Sequence, residues 1–247
     1  ISQKKCLALG ADLKSSIVFS PHTYIYQSPY LGNLNNYEVF ERFSETAADF
    51  MDIFQQKPEV ILADAHPGYQ SHQFGNDLAA KLHIPIQYIQ HHKAHFAAIL
   101  GEHQLWNEKV LGVVFDGTGL GDDGQIWGGE FFDYSQGSME RLHHLKYYDW
   151  LAGDKMAKET RLSLMALSKD NVDAETGKKF TPDEFHFYKK LMQQNTLKTS
   201  SVGRLFDALS SLLELTDYNT YEGQGAMLLE NCILESDKMA AHDYLPG

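Results

Sequence analysis

Residues 85–95 read PIQYIQHHKAH, and residues 110–130 read VLGVVFDGTGLGDDGQIWGGE. In the first stretch a short apolar strand, Pro85 to Gln90, runs directly into a helix. On that helix His91 and His95 are four residues apart, so both imidazoles project from one face. Two neutral imidazoles on one face can hold a divalent metal. His92 falls on a different face, and HHKAH lacks the glutamate base of the HExxH zinc peptidases. In the second stretch a strand, Val110 to Phe115, opens into Asp116–Gly124, with four glycines and three aspartates in nine residues. Hairpins use Gly and Asp freely, but rarely at this density. Glycines at 117, 119 and 121 let backbone amides approach phosphate, while carboxylates face a metal or a ribose. Asp116, at the strand end, is placed to be a third metal ligand. Asp122 is a candidate nucleotide contact, although Asp122 and Asp123 would serve equally as turn caps. Trp127 is expected in the core, and Glu130 is left open. A metal grip beside a phosphate cradle points to nucleotide chemistry.

Working outward, Cys6–Gly10, Ser16–Ser20 and Tyr24–Tyr30 read as a three-strand meander. Tyr37–Gln56 has a helical apolar period and stops before Pro58. Val60–Ala63 is a strand, HPGY (66–69) a turn, Gln73–Leu82 a helix, Ile86–Ile89 a strand, and His91 to about His103 the histidine helix. A similar order then restarts, with strands at Val110–Phe115, Ile126–Phe132 and Leu142–Tyr148 and mainly helical sequence after them. Two such halves describe an α/β, two-lobed actin-like ATPase (ASKHA, ribonuclease H-like) architecture with nucleotide held between lobes. The expected lobes are 1–105, carrying the histidine helix, and 106–247, carrying the glycine-rich turn. Asn171–Asp183 reads as a polar surface excursion.

Further candidates follow from position. Gly10, Asp12 and Lys14 follow the first strand, where the actin-like plan brings a hairpin to phosphate, and Lys14 would neutralise phosphate charge. An ordinary hairpin explains the same residues. Gly153, Asp154, Lys158, Glu159 and Arg161 form a polar group that is either a solvated helix start or a phosphate contact. In SSVGRLFDALSSLLE (200–214) most residues form a helix with an apolar face, but Asp207 is a candidate ribose ligand. Glu222 and Gly223, in YEGQGAM, precede another helix, and Glu222 is a candidate contact.

The chain of 247 residues is 43% apolar and carries a formal charge of −12. An acidic protein is a poor general binder of nucleic acid, because phosphate backbones demand Lys and Arg. No apolar run is long enough to span a bilayer and no signal peptide is present, so a cytoplasmic setting is expected. The first residue is Ile, consistent with a start inside a longer chain. Cys6 and Cys232 are the only cysteines, and neither has a metal-ligand or redox spacing.

The stretches ALGADLKS, HPGY, QHHKAHFAAI, GVVFDGTGLGDDGQIWGGEF, TSSVGRLFDALSSLL and YEGQGAM together resemble the carboxy-terminal half of the hydrogenase-maturation carbamoyltransferases (HypF type). The resemblance implies an actin-like domain binding ATP or carbamoyl-adenylate beside a divalent metal (Fe, Zn or Mg). It implies transfer of the carbamoyl group to the C-terminal cysteine of a HypE-type maturation partner, towards the cyanide ligand of nickel–iron hydrogenase. The carbamoyl-adenylate would come from an adenylate-forming domain, in cis or in trans. By carry-over His91, His95 and Asp116 are the metal ligands, and Gly203, Asp207, Glu222 and Gly223 lie near the nucleoside. Lys14, Asp116 and Lys158 are the expected catalytic side chains. The family pattern continues into an SGG-type segment and a final Asp-Gly turn that do not occur before Gly247, so the second lobe is expected to be incomplete. Where the family has Glu-Pro, this chain has Glu159-Thr160, which puts Arg161 out of register. Three rival readings remain: a non-catalytic nucleotide- or metal-binding module, a small-molecule O-carbamoyltransferase, and an actin-like kinase.

Overall fold

The computed structural model describes residues 4–168 and 176–240, with side chains to residue 232. The chain forms two compact units, 1–95 and 96–247. Each is α/β with a mixed sheet.

In the first unit the strands are β1 (Cys6–Ala8), β2 (Val18–Ser20), β3 (Tyr26–Gln27), β4 (Val60–Asp64) and β5 (Ile86–Ile89). They lie in the order β3-β2-β1-β4-β5, antiparallel through the meander and parallel from β1 to β5. Parallel strands need a crossover between them, and α1 (Tyr37–Phe54) and α2 (Gln70–Leu82) supply it. Asn36 caps α1, its side chain accepting from the amides of Glu38 and Val39 at 2.9 and 3.3 Å. The apolar stripe of α1 packs Phe43 and Ala47, flanked by Phe40, Phe50 and Phe54, onto Leu7, Leu9, Ile17, Phe19 and Ile61. The start of α2 is held from far away. Asp12 accepts from the Gln70 and Ser71 amides at 2.9 and 3.0 Å, satisfying donors that a helix start leaves without intrahelical partners.

The helix α3 (His91–Glu102) begins at the end of β5, where the Gln90 side chain accepts from the Lys93 amide at 2.9 Å. The division between units falls within this helix, rather than after residue 105. Phe96 and Leu100 are core residues of the second unit, packed with Val114, Trp127, Phe132 and Tyr134. Gly112 opens a socket for Phe96, since a Cβ there would lie 2.5 Å from the ring.

In the second unit β6 (Val110–Leu120), β7 (Ile126–Ser135) and β8 (Ser138–His144) form an antiparallel meander. The strand β6 does not end at Phe115 as expected. It continues through the glycines to Leu120, with an irregularity in its pairing between Phe115 and Gly119, so the glycine-rich turn shrinks to Gly121–Gln125. The third strand starts at Ser138 because Gln136 and Gly137 both have positive φ (52° and 83°), the conformation of a two-residue hairpin turn. Tyr148–Asp149 is a separate strand, β9, which pairs with β10 (Lys198–Thr199), and β10 runs parallel to the start of β7.

The helices α4 (Lys155–Lys158), α5 (Thr160–Ser168), α6 (Pro182–Gln194), α7 (Val202–Leu212) and α8 (Gln224–Ala240) complete the unit. Of the expected polar excursion, residues 171–175 lie outside the described residues. The remainder is a 3-10 turn (Gly177–Lys179) and the start of α6. Thr181 and Glu184 form a capping box there, with Pro182 at the first helical position. Arg161 is buried rather than offered to phosphate. Its guanidinium lies 4.5 and 4.8 Å from the ring centroids of Phe180 and Tyr218 and pairs with Glu159 and Glu184 at 2.9 and 3.0 Å.

Candidate metal and nucleotide site

In the first unit the strand register builds the histidine site. The parallel pairing of β4 and β5 sets Asp64 opposite Ile89, so the strand-end carboxylate meets the helix that follows β5. Asp64 Oδ2 lies 3.0 Å from His91 Nδ1. The other ring nitrogen of His91, Nε2, lies 3.2 Å from His95 Nε2. Two metal–nitrogen bonds of about 2.0–2.1 Å at a tetrahedral angle place their nitrogens about 3.3–3.4 Å apart, and at a right angle about 2.8–3.0 Å. The observed separation falls between these values, so the pair fits a shared divalent cation. His92 faces inward, fully buried, with Nδ1 3.0 Å from Gln90 Nε2.

Close by, His66 stacks on Tyr69 (ring centroids 4.3 Å apart) and His72 on Tyr88 (4.4 Å). Gly10 has φ +65° and Lys14 has φ +53°, which gives the segment after β1 the tight path of a turn. Asp12, expected at phosphate, instead spends both carboxylate oxygens on the start of α2.

In the second unit three backbone segments cross at Asp116–Gly117. Ser201, the N-cap of α7, accepts from the Arg204 amide at 3.1 Å and donates to the Gly117 carbonyl at 2.6 Å. A Cβ at Gly203 would lie 3.0 Å from the Gly117 Cα, and one at Gly128 would lie 2.7 Å from the Asp116 carbonyl oxygen. Gly203 and Gly128 are therefore required by close packing. Asp116 Oδ1 accepts from the Gly117 amide at 2.6 Å. The position a Cβ of Gly117 would take has no atom within 4 Å, so this backbone is open to a ligand. The start of α7 lies against it, and a helix N-terminus favours anions.

Beneath the crossing lies Glu130, fully buried. It accepts from the Gly128 and Gly129 amides at 2.9 and 3.0 Å, from the Ser200 hydroxyl, and from Arg141 Nε at 2.6 Å. Burial raises its pKa, but the Ser200 hydroxyl, the two amides and Arg141 together outweigh it and hold the carboxyl below the usual range. Arg141 is packed 3.9 Å from the centroid of Trp127 and also binds Asp123 and Tyr147. Gly121 is glycine because Trp127 occupies its side-chain space, with Nε1 2.0 Å from where a Cβ would lie. Gly119 pairs within the β6–β7 ladder opposite Trp127. Asp123 is a structural cap, accepting from Trp127 Nε1 and the Gln125 amide, while Asp122 is exposed.

Asp207, expected at ribose, is enclosed. It lies 2.8 Å from Arg204 Nε, a charge pairing without hydrogen-bond alignment, and accepts from Asn219 Nδ2 at 2.9 Å. Burial pushes its carboxyl up, against the opposing pull of Arg204 and Asn219. Asn219 is a junction that sequence reasoning missed. Its side chain also donates to the Ala157 carbonyl and accepts from the Gly225 amide, and its own amide donates to the Lys158 carbonyl. It thereby joins α4, α7 and the start of α8. Lys158 and Glu222 are exposed, and Gly223 (φ +78°) makes the turn into α8.

Residues 2–102 match the family model described as the HypF Kae1-like domain. Residues 112–245, more than half of the chain, match the carbamoyltransferase Kae1-like domain, second subdomain. The chain belongs to the HypF carbamoyltransferase family. Carbamoyltransferase HypF of Synechocystis sp. is 34% identical over 99% of this chain and 34% of its own length. Carbamoyltransferase HypF2 of Cupriavidus necator is 36% identical over 91% and 28%. Full-length HypF in its phosphate- and nucleotide-bound form superposes with a TM-score of 0.85 at 32% identity, over 92% of this chain and 30% of that one. The chain thus spans about a third of the length of these HypF relatives. No helix among the described residues is long and apolar enough to cross a membrane.

Proposed function

We propose that this chain carries the carbamoyl-transfer step of a HypF enzyme. Its substrate is carbamoyl-adenylate, made from carbamoyl phosphate and ATP by an adenylate-forming domain in cis or in trans. Its acceptor is the C-terminal cysteine thiolate of a HypE-type partner. The observation that carries the reading is the His91–His95 pair, whose Nε2 atoms face one another at 3.2 Å in a chain of this family. By the family pattern Asp116 is assigned as the third ligand, which would make the donor set two imidazoles and one carboxylate. Imidazole nitrogens favour Zn or Fe over Mg. When bound, such an ion supplies charge to a phosphate and polarises a carbonyl.

The chain's own residues are assigned the rest. The open backbone at Gly117 and the first amides of α7 receive phosphate oxygens. Lys14 and Lys158, both exposed, supply positive charge to the same group. Glu222, at the exposed approach to α8, takes the ribose hydroxyls. The external thiolate attacks the carbamoyl carbonyl, the C–S bond forms, the bond to the phosphate oxygen breaks, and AMP leaves as the anion. No internal nucleophile is used. Burial pushes the Cys6 thiol up, the opposite of an activated thiolate.

Incubation with carbamoyl-adenylate, Zn²⁺ or Fe²⁺ and a peptide ending in cysteine is expected to yield the thiocarbamate. Absence of product above background overturns stand-alone transfer. Nucleotide binding without product selects the second reading, a binding module of a larger assembly.

A further inference from the structure

We propose that Asp64 is a positioning residue that fixes the ring orientation and tautomer of His91. In that state Nδ1 carries the proton and Nε2 presents its lone pair towards His95. The inference deepens the metal reading above and rests on it for its functional consequence.

The geometry is confined to the first unit. Asp64 ends β4, and its side chain is only 7% exposed. An ionised carboxylate is an acceptor only, so the 3.0 Å approach of Oδ2 to His91 Nδ1 requires the proton on Nδ1. A neutral imidazole then has its lone pair on Nε2, the atom that faces His95. The carboxylate is itself held in place. Its Oδ1 accepts from the His66 amide at 2.8 Å, and the Asp64 carbonyl lies 2.9 Å from His72 Nδ1. The His72 ring is stacked on Tyr88, 9° from parallel. His91 is therefore oriented by a group whose own position is set by the β4–β5 register and by a packed ring. A carboxylate behind a ligating histidine fixes its tautomer and raises its basicity. Asp64 would touch neither substrate nor metal.

The test uses the full 247-residue chain, labelled with ¹⁵N-histidine, as wild type, Asp64→Asn and Asp64→Ala. Imidazole ¹⁵N shifts in the metal-free protein report the His91 tautomer, and chelator competition reports Zn²⁺ affinity. The wild type is expected to hold His91 in the Nδ1–H form. Asp64→Ala is expected to shift it towards the Nε2–H form and to weaken Zn²⁺ binding by about 10–100-fold. Asp64→Asn keeps an acceptor for only one of the two donors and is expected to fall between them. It carries the comparison if the alanine variant does not fold. An unchanged His91 tautomer in the folded variants, with Zn²⁺ affinity within about twofold of wild type, overturns the proposal. A wild type that binds no Zn²⁺ defeats the metal reading, while the tautomer shifts still decide the role of Asp64.

Discussion

Replacing Glu130 with glutamine tests whether one buried carboxylate holds the glycine crossing together. The change keeps size and shape and removes the charge. In the wild type this carboxylate accepts from the Gly128 and Gly129 amides, the Ser200 hydroxyl and Arg141 Nε. A carboxamide has one acceptor oxygen and an NH₂ group, so either Arg141 or the backbone amides must face a donor. Hydrogen bonds to charged groups contribute about 1.5–3 kcal/mol each, and removing one partner of a buried ion pair costs about 3–5 kcal/mol. Arg141 keeps Asp123 and Tyr147, which places the expected loss at the lower end, about 3 kcal/mol.

The folded-state pKa of Glu130 lies below its unfolded value. Its contribution is therefore complete above the unfolded glutamate pKa of about 4.3 and is lost as pH falls through the folded value. Urea unfolding of wild type and Glu130→Gln at neutral pH, and again at descending pH below about 4.3, measures this directly. The gap between the two proteins is expected to be widest at neutral pH and to close in acid. A gap under about 1 kcal/mol at neutral pH, or one that widens in acid, refutes the reasoning.

Three other perturbations separate packing from chemistry. Asp12→Ala removes the distant cap of α2 and is expected to cost about 0.5–2 kcal/mol in urea unfolding, while leaving nucleotide affinity unchanged at a concentration that keeps the chain folded. Gly203→Ala forces a methyl to 3.0 Å from the Gly117 Cα; a loss of about 1–3 kcal/mol is expected, with weakened nucleotide binding by calorimetry. Asn219→Ala leaves the Ala157 carbonyl, the Gly225 amide and Asp207 without this partner and is expected to cost about 2–4 kcal/mol, read as a lower urea midpoint.

The sequence carries much of the first unit, because its elements are locally determined. The short apolar runs of β1 and β4, the period of α1 and the strand-to-helix passage at Gln90–His91 each sit in a few contiguous residues. Features set by distant partners were hidden. The start of α2 at Gln70, rather than Gln73, depends on Asp12, 58 residues away in sequence. Asp64 acquires its meaning only when the β4–β5 register brings it to His91.

Composition also misled in instructive ways. The glycines of 117–124 look like a loop, yet β6 runs through the first of them. Gly121 answers to the bulk of Trp127, and Gly203 to the backbone of Gly117. Asp12 and Asp207 looked like ligands because exposed and structural carboxylates are indistinguishable in a sequence. In the structure both are buried and hydrogen-bonded within the protein. The α6 start, with Thr181 as its cap and Pro182 at its first position, goes unread inside a stretch that reads as polar surface.

Metal content tests the central claim most directly. The full chain, reconstituted with Zn²⁺ and separately with Fe²⁺ and then freed of excess ion, is measured by elemental analysis beside His91→Ala and His95→Ala. About one ion per wild-type chain is expected, with near-complete loss in each variant and the fold retained. Full metal content in both variants, or none in the wild type, would contradict it.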